Sequence, residues 1–249
     1  MSQPRVPQIF AGKRRDARAA RAEAIASREG AANWLYEELQ RDVLERLDFM
    51  RFEPARALVT GHAAEGLAAQ LRARGSEVAT LPSPDEEQPI AEDSYCLIVS
   101  HARLDTVNDL PGALLHLRNA LEPGGLMIAQ FPGAGSLSSL RQVMLAADGQ
   151  RPAARLHPQI DDRAASALMQ RAGFAKQVVD THKLTVSYRS LDRLISDLRE
   201  QALTSVLVSP APNLGKAGLA RAKAAFRAIK DEEGKIAETF QILTLTGWR

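Results

Sequence analysis

One cysteine, Cys96, stands in 249 residues, which excludes an internal disulfide and any cysteine-rich zinc site. Aromatic residues are scarce at 5%, so Ala, Leu and Val must fill the core. An excess of either charge is missing too. The 32 basic and 30 acidic side chains leave a net charge of +2, too little to draw the whole molecule to nucleic acid or a membrane surface. No apolar run approaches the roughly 18 residues that a bilayer-spanning helix needs, so no membrane span is expected. Met1 to Phe10 lack the apolar stretch of a secretory leader, and the expected compartment is the cytoplasm. A Gly-x-Ser-x-Gly elbow and a Gly-Lys-Ser/Thr phosphate loop are absent, which removes support from hydrolase and nucleotide-triphosphatase readings. His157 and His182 have no partner at metal-ligand spacing, so no metal site is expected.

What is present reads as an α/β chain. Lys13, Arg14, Arg15, Arg18 and Arg21 form a basic stretch that resembles an organelle transit peptide, but Asp16 and Glu23 within it favour a solvated helix face, with a patch for an acidic partner as a further alternative. Asp16 to Glu29, rich in Ala and Arg, predicts a polar helix. From Asn33 to Met50, Leu35, Leu39, Val43, Leu47 and Met50 recur every three or four residues, the period of an amphipathic helix, with Asn33 as its N-cap. Short apolar runs then alternate with helical stretches. Strands are expected at Ala57–Thr60, Glu77–Leu81, Tyr95–Ser100 and Leu126–Phe131, with helices at Glu65–Arg74 and Asp109–Leu121 between them. That alternation implies a parallel sheet. Further on, helices are expected at Ser136–Ala147, Asp161–Arg171, Leu191–Leu203 and Leu219–Lys230. Strands are expected at Lys176–Asp180, Leu184–Tyr188 and Thr239–Thr246.

In an open α/β sheet, ligands bind at the carboxyl ends of the strands. The first strand-to-helix turn, Thr60-Gly61-His62-Ala63-Ala64-Glu65-Gly66, is therefore the candidate cofactor loop, because glycine allows both a tight bend and close approach of a ligand to bare backbone. Gly61, His62, Ala63 and Gly66 are its candidate contacts. Leu81 at the end of the second strand, and Ser100 and His101 at the end of the third, complete the set. An ordinary loop without a ligand is the other reading of that turn. A ribose-binding acid is expected after the second strand, yet Leu81 is followed by Pro82. Asp85, Glu86 and Glu87 come next, and a Pro-flanked acidic run reads as a solvated loop. Cys96 falls inside a buried strand and reads as inert core. No catalytic residue stands out.

Val107-Asn108-Asp109-Leu110-Pro111-Gly112-Ala113-Leu114 and Leu121-Glu122-Pro123-Gly124-Gly125 resemble the region after strand four of class I S-adenosylmethionine methyltransferases. Arg171-Ala172-Gly173-Phe174, Asp197-Leu198-Arg199 and Gln241–Trp248 follow in the same order. The chain is most similar to the methyltransferase-like assembly factors of respiratory complex I, of the arginine-hydroxylase type, and to their bacterial relatives. The resemblance implies a Rossmann-like, mostly parallel seven-stranded sheet. It also implies an N-terminal helical cover over residues 1–50, a methyltransferase-like domain over 51–249, and a helical insertion at about 190–233. S-adenosyl-L-methionine is the implied cofactor. Where the family's first motif reads acid-Leu-Gly-x-Gly-x-Gly, this chain has Val59-Thr60-Gly61-His62-Ala63-Ala64-Glu65-Gly66. The motif acid is missing, as is the acid after the second strand.

Two functions remain open. One is a non-catalytic or weakly binding assembly factor of complex I type, with a protein partner. The other is an active adenosylmethionine-dependent methyltransferase acting on a protein or carrier-protein substrate, since methyl transfer needs alignment more than a general base. A helper of arginine hydroxylation rests on the resemblance alone.

Overall fold

Strands that are apolar on both faces must lie side by side with helices covering them above and below. The computed structural model describes residues 6–26, 28–91 and 93–249 and shows that arrangement. Two helices, α1 (Gly12–Ala26) and α2 (Trp34–Met50), precede the sheet. β1 (Arg56–Gly61), α3 (Ala64–Ala73), β2 (Glu77–Leu81), β3 (Tyr95–His101), α4 (Leu110–Ala120) and β4 (Leu121–Pro132) form a wholly parallel half in the order β2-β1-β3-β4. After α5 (Ser138–Asp148) and α6 (Asp162–Arg171) comes edge strand β5 (Ala175–Tyr188). The insertion consists of α7 (Leu191–Glu200) and α8 (Gly215–Ala228). The last strand, β6 (Ile236–Trp248), slots between β4 and β5 antiparallel to both. This is an α/β Rossmann-like methyltransferase fold. Among the described residues no helix is long and apolar enough to cross a membrane.

Seven strands were expected, but the described residues form six. The runs at 176–180 and 184–188 are one strand, because Thr181, His182 and Lys183 stay in register with Leu243, Ile242 and Gln241 of β6. On an edge strand with one solvated face, alternating polar residues do not interrupt the ladder. The stretch after β2 carries Pro82, Pro84 and Pro89 and forms no strand. The first helix begins at Gly12 rather than Asp16, its start held by Asn108 Oδ1, which accepts from the Ile9 and Phe10 amides at 2.8 Å. Met1 to Arg5, which the leader expectation included, lie outside the described residues. So do Ser27, within the helix expected at Asp16–Glu29, and Glu92.

Period-two alternation sorts the strands' side chains onto the two faces. Leu58, Ile98 and Met127 pack with α4 and α6, whereas Val59, Val99 and Ile128 pack with Val43 and Leu47 of α2 and Leu67 of α3. A third cluster joins Leu35, Tyr36 and Leu39 of α2 to the insertion and to Phe240 and Ile242 of β6.

Asn33 occupies the N-cap position of α2 but makes no side-chain capping bond. The start of that helix is capped from the insertion instead. The Leu35 amide donates to Gln201 Oε1 at 2.9 Å, the Tyr36 hydroxyl to the Gln201 carbonyl at 2.9 Å, and the Ala32 amide to Glu200 Oε2 at 2.7 Å. Gln201 is fully buried, so truncating it leaves the Leu35 amide without water or partner. Gln201→Ala should lower unfolding free energy in urea by about 1–3 kcal/mol, whereas Asn33→Ala should change it by well under ~1 kcal/mol.

Candidate cofactor site

The parallel register brings most of the candidate residues to one edge. Thr60 lies between Leu81 and Ser100, and Gly61 lies beside His101. Gly61 needs its freedom: its φ is 111°, and a Cβ there would run into the His101 carbonyl oxygen. The turn then closes on protein. The His62 ring is buried edge-on to Tyr36, with centroids 5.0 Å apart, and its Nδ1 lies 3.7 Å from Glu23 Oε2 of α1. Burial lowers its pKa; Glu23 opposes that and Arg18 adds to it. Ala63 takes the left-handed conformation, φ 58° and ψ 22°, at the start of α3. Gly66 faces Gln40, whose Nε2 would lie 2.7 Å from an added Cβ, and Glu65 swings outward to pair with Arg72.

Helix α1 covers this edge. Arg15 and Arg18, expected on a solvated face, are only 8% and 7% exposed, while Lys13, Arg14 and Arg21 remain outside. Arg15 Nη2 donates to Glu86 Oε2 at 2.9 Å and its Nε to Thr106 Oγ1 at 3.3 Å. Arg18 donates to the Thr204 carbonyl at 3.0 Å and to Thr106 Oγ1 at 3.3 Å. Glu86 also receives Arg103 through Nε and, at 3.2 Å, through Nη2; Arg103 Nη2 further reaches the Pro84 carbonyl at 2.9 Å. The acidic run after β2 is therefore not wholly a solvated loop. Asp85 is exposed, Glu86 is buried in a two-arginine ion pair, and Glu87 accepts from the Asn108 amide at 3.0 Å.

Leu81 is 40% exposed at the rim, but Ser100 and His101 are buried, and neither the Ser100 hydroxyl nor either His101 ring nitrogen has a hydrogen-bond partner among the described residues. His101 is thus enclosed rather than poised at the mouth of a site. Cys96 is half-buried, its sulfur accepting from the Arg56 amide at 3.3 Å. Sequence reasoning missed Arg15, Arg18, Glu86, Arg103 and Asp105. The spacing of Arg15, Arg18 and Ala22 on one helical face was the available signal, since all three turn inward.

An adenosine sulfonium ligand needs bare backbone at this turn and a carboxylate free to accept from ribose hydroxyls. The turn carries the His62 ring, and the buried carboxylate next to β2 is already shared by two guanidiniums. The residues present do not fit that cofactor held in the family's manner. An open groove of about 730 Å³ remains alongside, lined by Arg15, Glu23, His62, Ser83 and Asp85.

The chain belongs to the methyltransferase domain family, whose model matches residues 23–179. Its relatives include the mouse arginine-hydroxylase NDUFAF5, mitochondrial, 32% identical over 66% of this chain and 50% of that protein. Malonyl-[acyl-carrier protein] O-methyltransferase 1 of Coxiella burnetii is 26% identical over 81% of this chain and 76% of that protein. The chain spans about half the length of the arginine-hydroxylase relatives it matches. A 1,6-didemethyltoxoflavin-N1-methyltransferase from Burkholderia thailandensis, solved with S-adenosylhomocysteine, matches with a TM-score of 0.52 and 14% identity over all of this chain and 93% of that one, a likeness of fold.

Two outcomes follow from the geometry. The left-handed Ala63 carries a Cβ penalty that glycine lacks, so Ala63→Gly should raise unfolding free energy by about 1 kcal/mol in denaturant titration. Burial lowers His101 from 6.5 to about 4. Below pH 6.5 the unfolded chain takes up a proton that the folded chain refuses until about pH 4, so stability falls as pH falls through that window. The loss should be roughly 3 kcal/mol. His101→Leu should be no less stable at neutral pH, because it removes two unpartnered polar atoms, and its acid melting curve should be flatter.

Proposed function

We propose that this chain is a methyltransferase-like protein whose cofactor turn has been given over to internal packing, and that it acts as a scaffold or assembly factor of complex I type on a protein partner. The observation that carries this reading is the Arg15–Glu86–Arg103 cluster under α1, which occupies with buried ion pairs the edge where the family seats its nucleoside. Charge-assisted hydrogen bonds from ribose, each about 1.5–3 kcal/mol, would have to compete with two guanidiniums for the buried Glu86 carboxylate. Losing them weakens binding by orders of magnitude at ~1.4 kcal/mol per tenfold. The mouse relative carries the name of an arginine-hydroxylase, so chains of this family are not confined to methyl transfer. The cytoplasm is the compartment this reading expects.

The second reading, an active methyltransferase on a protein or carrier-protein substrate, draws on the groove beside His62, where Glu23 and Asp85 are carboxylates within a space large enough for a nucleoside. Calorimetry separates the two. No heat is expected on adding S-adenosylmethionine or S-adenosylhomocysteine to millimolar concentration, and Ala63→Gly should not restore binding. Saturation at micromolar ligand would establish the enzyme reading instead. Affinity purification of the chain from its native cell is expected to bring down one defined protein, and recovery of none would remove the scaffold.

A further inference from the structure

The groove beside the cofactor turn runs between one flank of α1 and the proline-rich stretch after β2. Asp16 and Glu23 line it from the helix, two turns apart, about 10 Å along the axis at ~1.5 Å per residue. Ala19 and Ala20 lie between them, so that wall is acidic at both ends and apolar in the middle. On the facing wall Pro82 and Pro84 are apolar, and Asp85 adds a third carboxylate. His62 lies at the Glu23 end, its Nδ1 3.7 Å from Glu23 Oε2.

The cations of this edge are engaged elsewhere or stand outside the groove. Arg15, on the groove wall, and Arg103 both pair with Glu86. Arg18 donates to the Thr204 carbonyl and Thr106, and Arg14 to the Ser205 carbonyl at 3.3 Å. Lys13 and Arg21 are exposed and line no part of the groove. Among the described residues no lysine or arginine forms an ion pair with Asp16, Glu23 or Asp85. Their negative charge faces the groove uncompensated.

His62 bears on a ligand independently of the acids. Its side chain is only 9% exposed, and among the described residues neither ring nitrogen makes a hydrogen bond. Unlike those of His101, these nitrogens are not sealed from solvent. Burial lowers its pKa and keeps the ring neutral, which leaves one nitrogen to accept from a donor in the groove. A neutral acceptor beside a carboxylate suits an ammonium group, which donates to both. An exposed carboxylate alone holds an ammonium weakly, so a second anchor on the same molecule matters.

We infer that the groove binds a linear aliphatic diamine or polyamine, one ammonium between Glu23 and His62, the other at Asp16, and the methylenes over Ala19, Ala20 and the two prolines. Asp85 adds its charge from the facing wall. The groove would hold such an amine whether or not the chain has a protein partner, and the ligand would bridge α1 to the loop after β2.

Terminal diaminoheptane and heptylamine carry the same chain with two ammonium groups and with one. Both are titrated into the full chain at about 150 mM salt, where the Debye length is about 8 Å, and followed by calorimetry and by the ring-proton NMR resonances of His62. The diamine is expected to bind at least about fivefold more tightly than heptylamine. It should also lower the pH at which His62 takes up a proton, because an adjacent ammonium opposes a second positive charge. Glu23→Gln and Asp16→Asn should each weaken diamine binding about twofold to fivefold, whereas Glu232→Gln, an exposed acid outside the groove, should leave it unchanged. Equal affinity for the two amines would overturn the assignment. Unmoved His62 resonances, undiminished binding in Glu23→Gln, an equal loss in Glu232→Gln, or a groove that takes adenosine and not the diamine would each do the same. The comparison of the two amines needs no substitution, and the substituted acids are exposed, so folding does not confuse the outcome.

Discussion

Arg15 and Arg103 share the Glu86 carboxylate in a buried cluster, and the carboxyl edge of the sheet is organised around that pairing. Removing charges from water is expensive, and the arrangement holds only because the carboxylate meets two guanidiniums while their other donors reach Thr106, Ser83 and the Pro84 carbonyl. Each participant comes from a different segment: α1, the proline-rich loop after β2, and the turn after β3. The pairing therefore welds the N-terminal helix to the loop after β2. Replacing Glu86 would leave two buried guanidiniums without their shared counter-charge, whereas replacing either arginine would leave a single ion pair.

The same edge illustrates how a family fold can persist while its loop chemistry changes. The parallel strands depend on buried apolar side chains such as Leu58, Val59, Ile98 and Val99, which are indifferent to what sits above them. Gly61 is retained for a reason internal to the sheet, since a side chain there would strike the His101 carbonyl. Ala63 and Gly66 lie against protein: the first is held left-handed at the helix start, the second faces Gln40. A glycine count of that turn thus measures packing as much as cofactor affinity.

Much of the architecture was legible in the residues. The strands expected at Tyr95–Ser100 and Leu126–Phe131 announced themselves as apolar runs, and α2 as a three-to-four residue period; that the second strand already begins at Leu121, where a helix end was expected, was not legible. The merger of two short runs into β5 was not legible, because Thr181, His182 and Lys183 look like a break until β6 supplies partners for their backbone. Among the candidate contacts, the grouping of Gly61, Leu81, Ser100 and His101 followed from strand ends alone. The burial of His62 and His101 did not, since it depends on α1 and Tyr36 arriving from elsewhere in the chain.

By itself the sequence determined the strand and helix alternation, the methyltransferase family and the altered first turn, because these are carried by local periodicity and by residues adjacent in the chain. Only the tertiary structure decided that arginines of a polar helix turn inward and that Glu86 is neutralised by Arg15 and Arg103. The physical reason is that a charge's partner and its degree of hydration are set by what folds over it. Those neighbours lie tens of residues away and leave no mark on the local pattern.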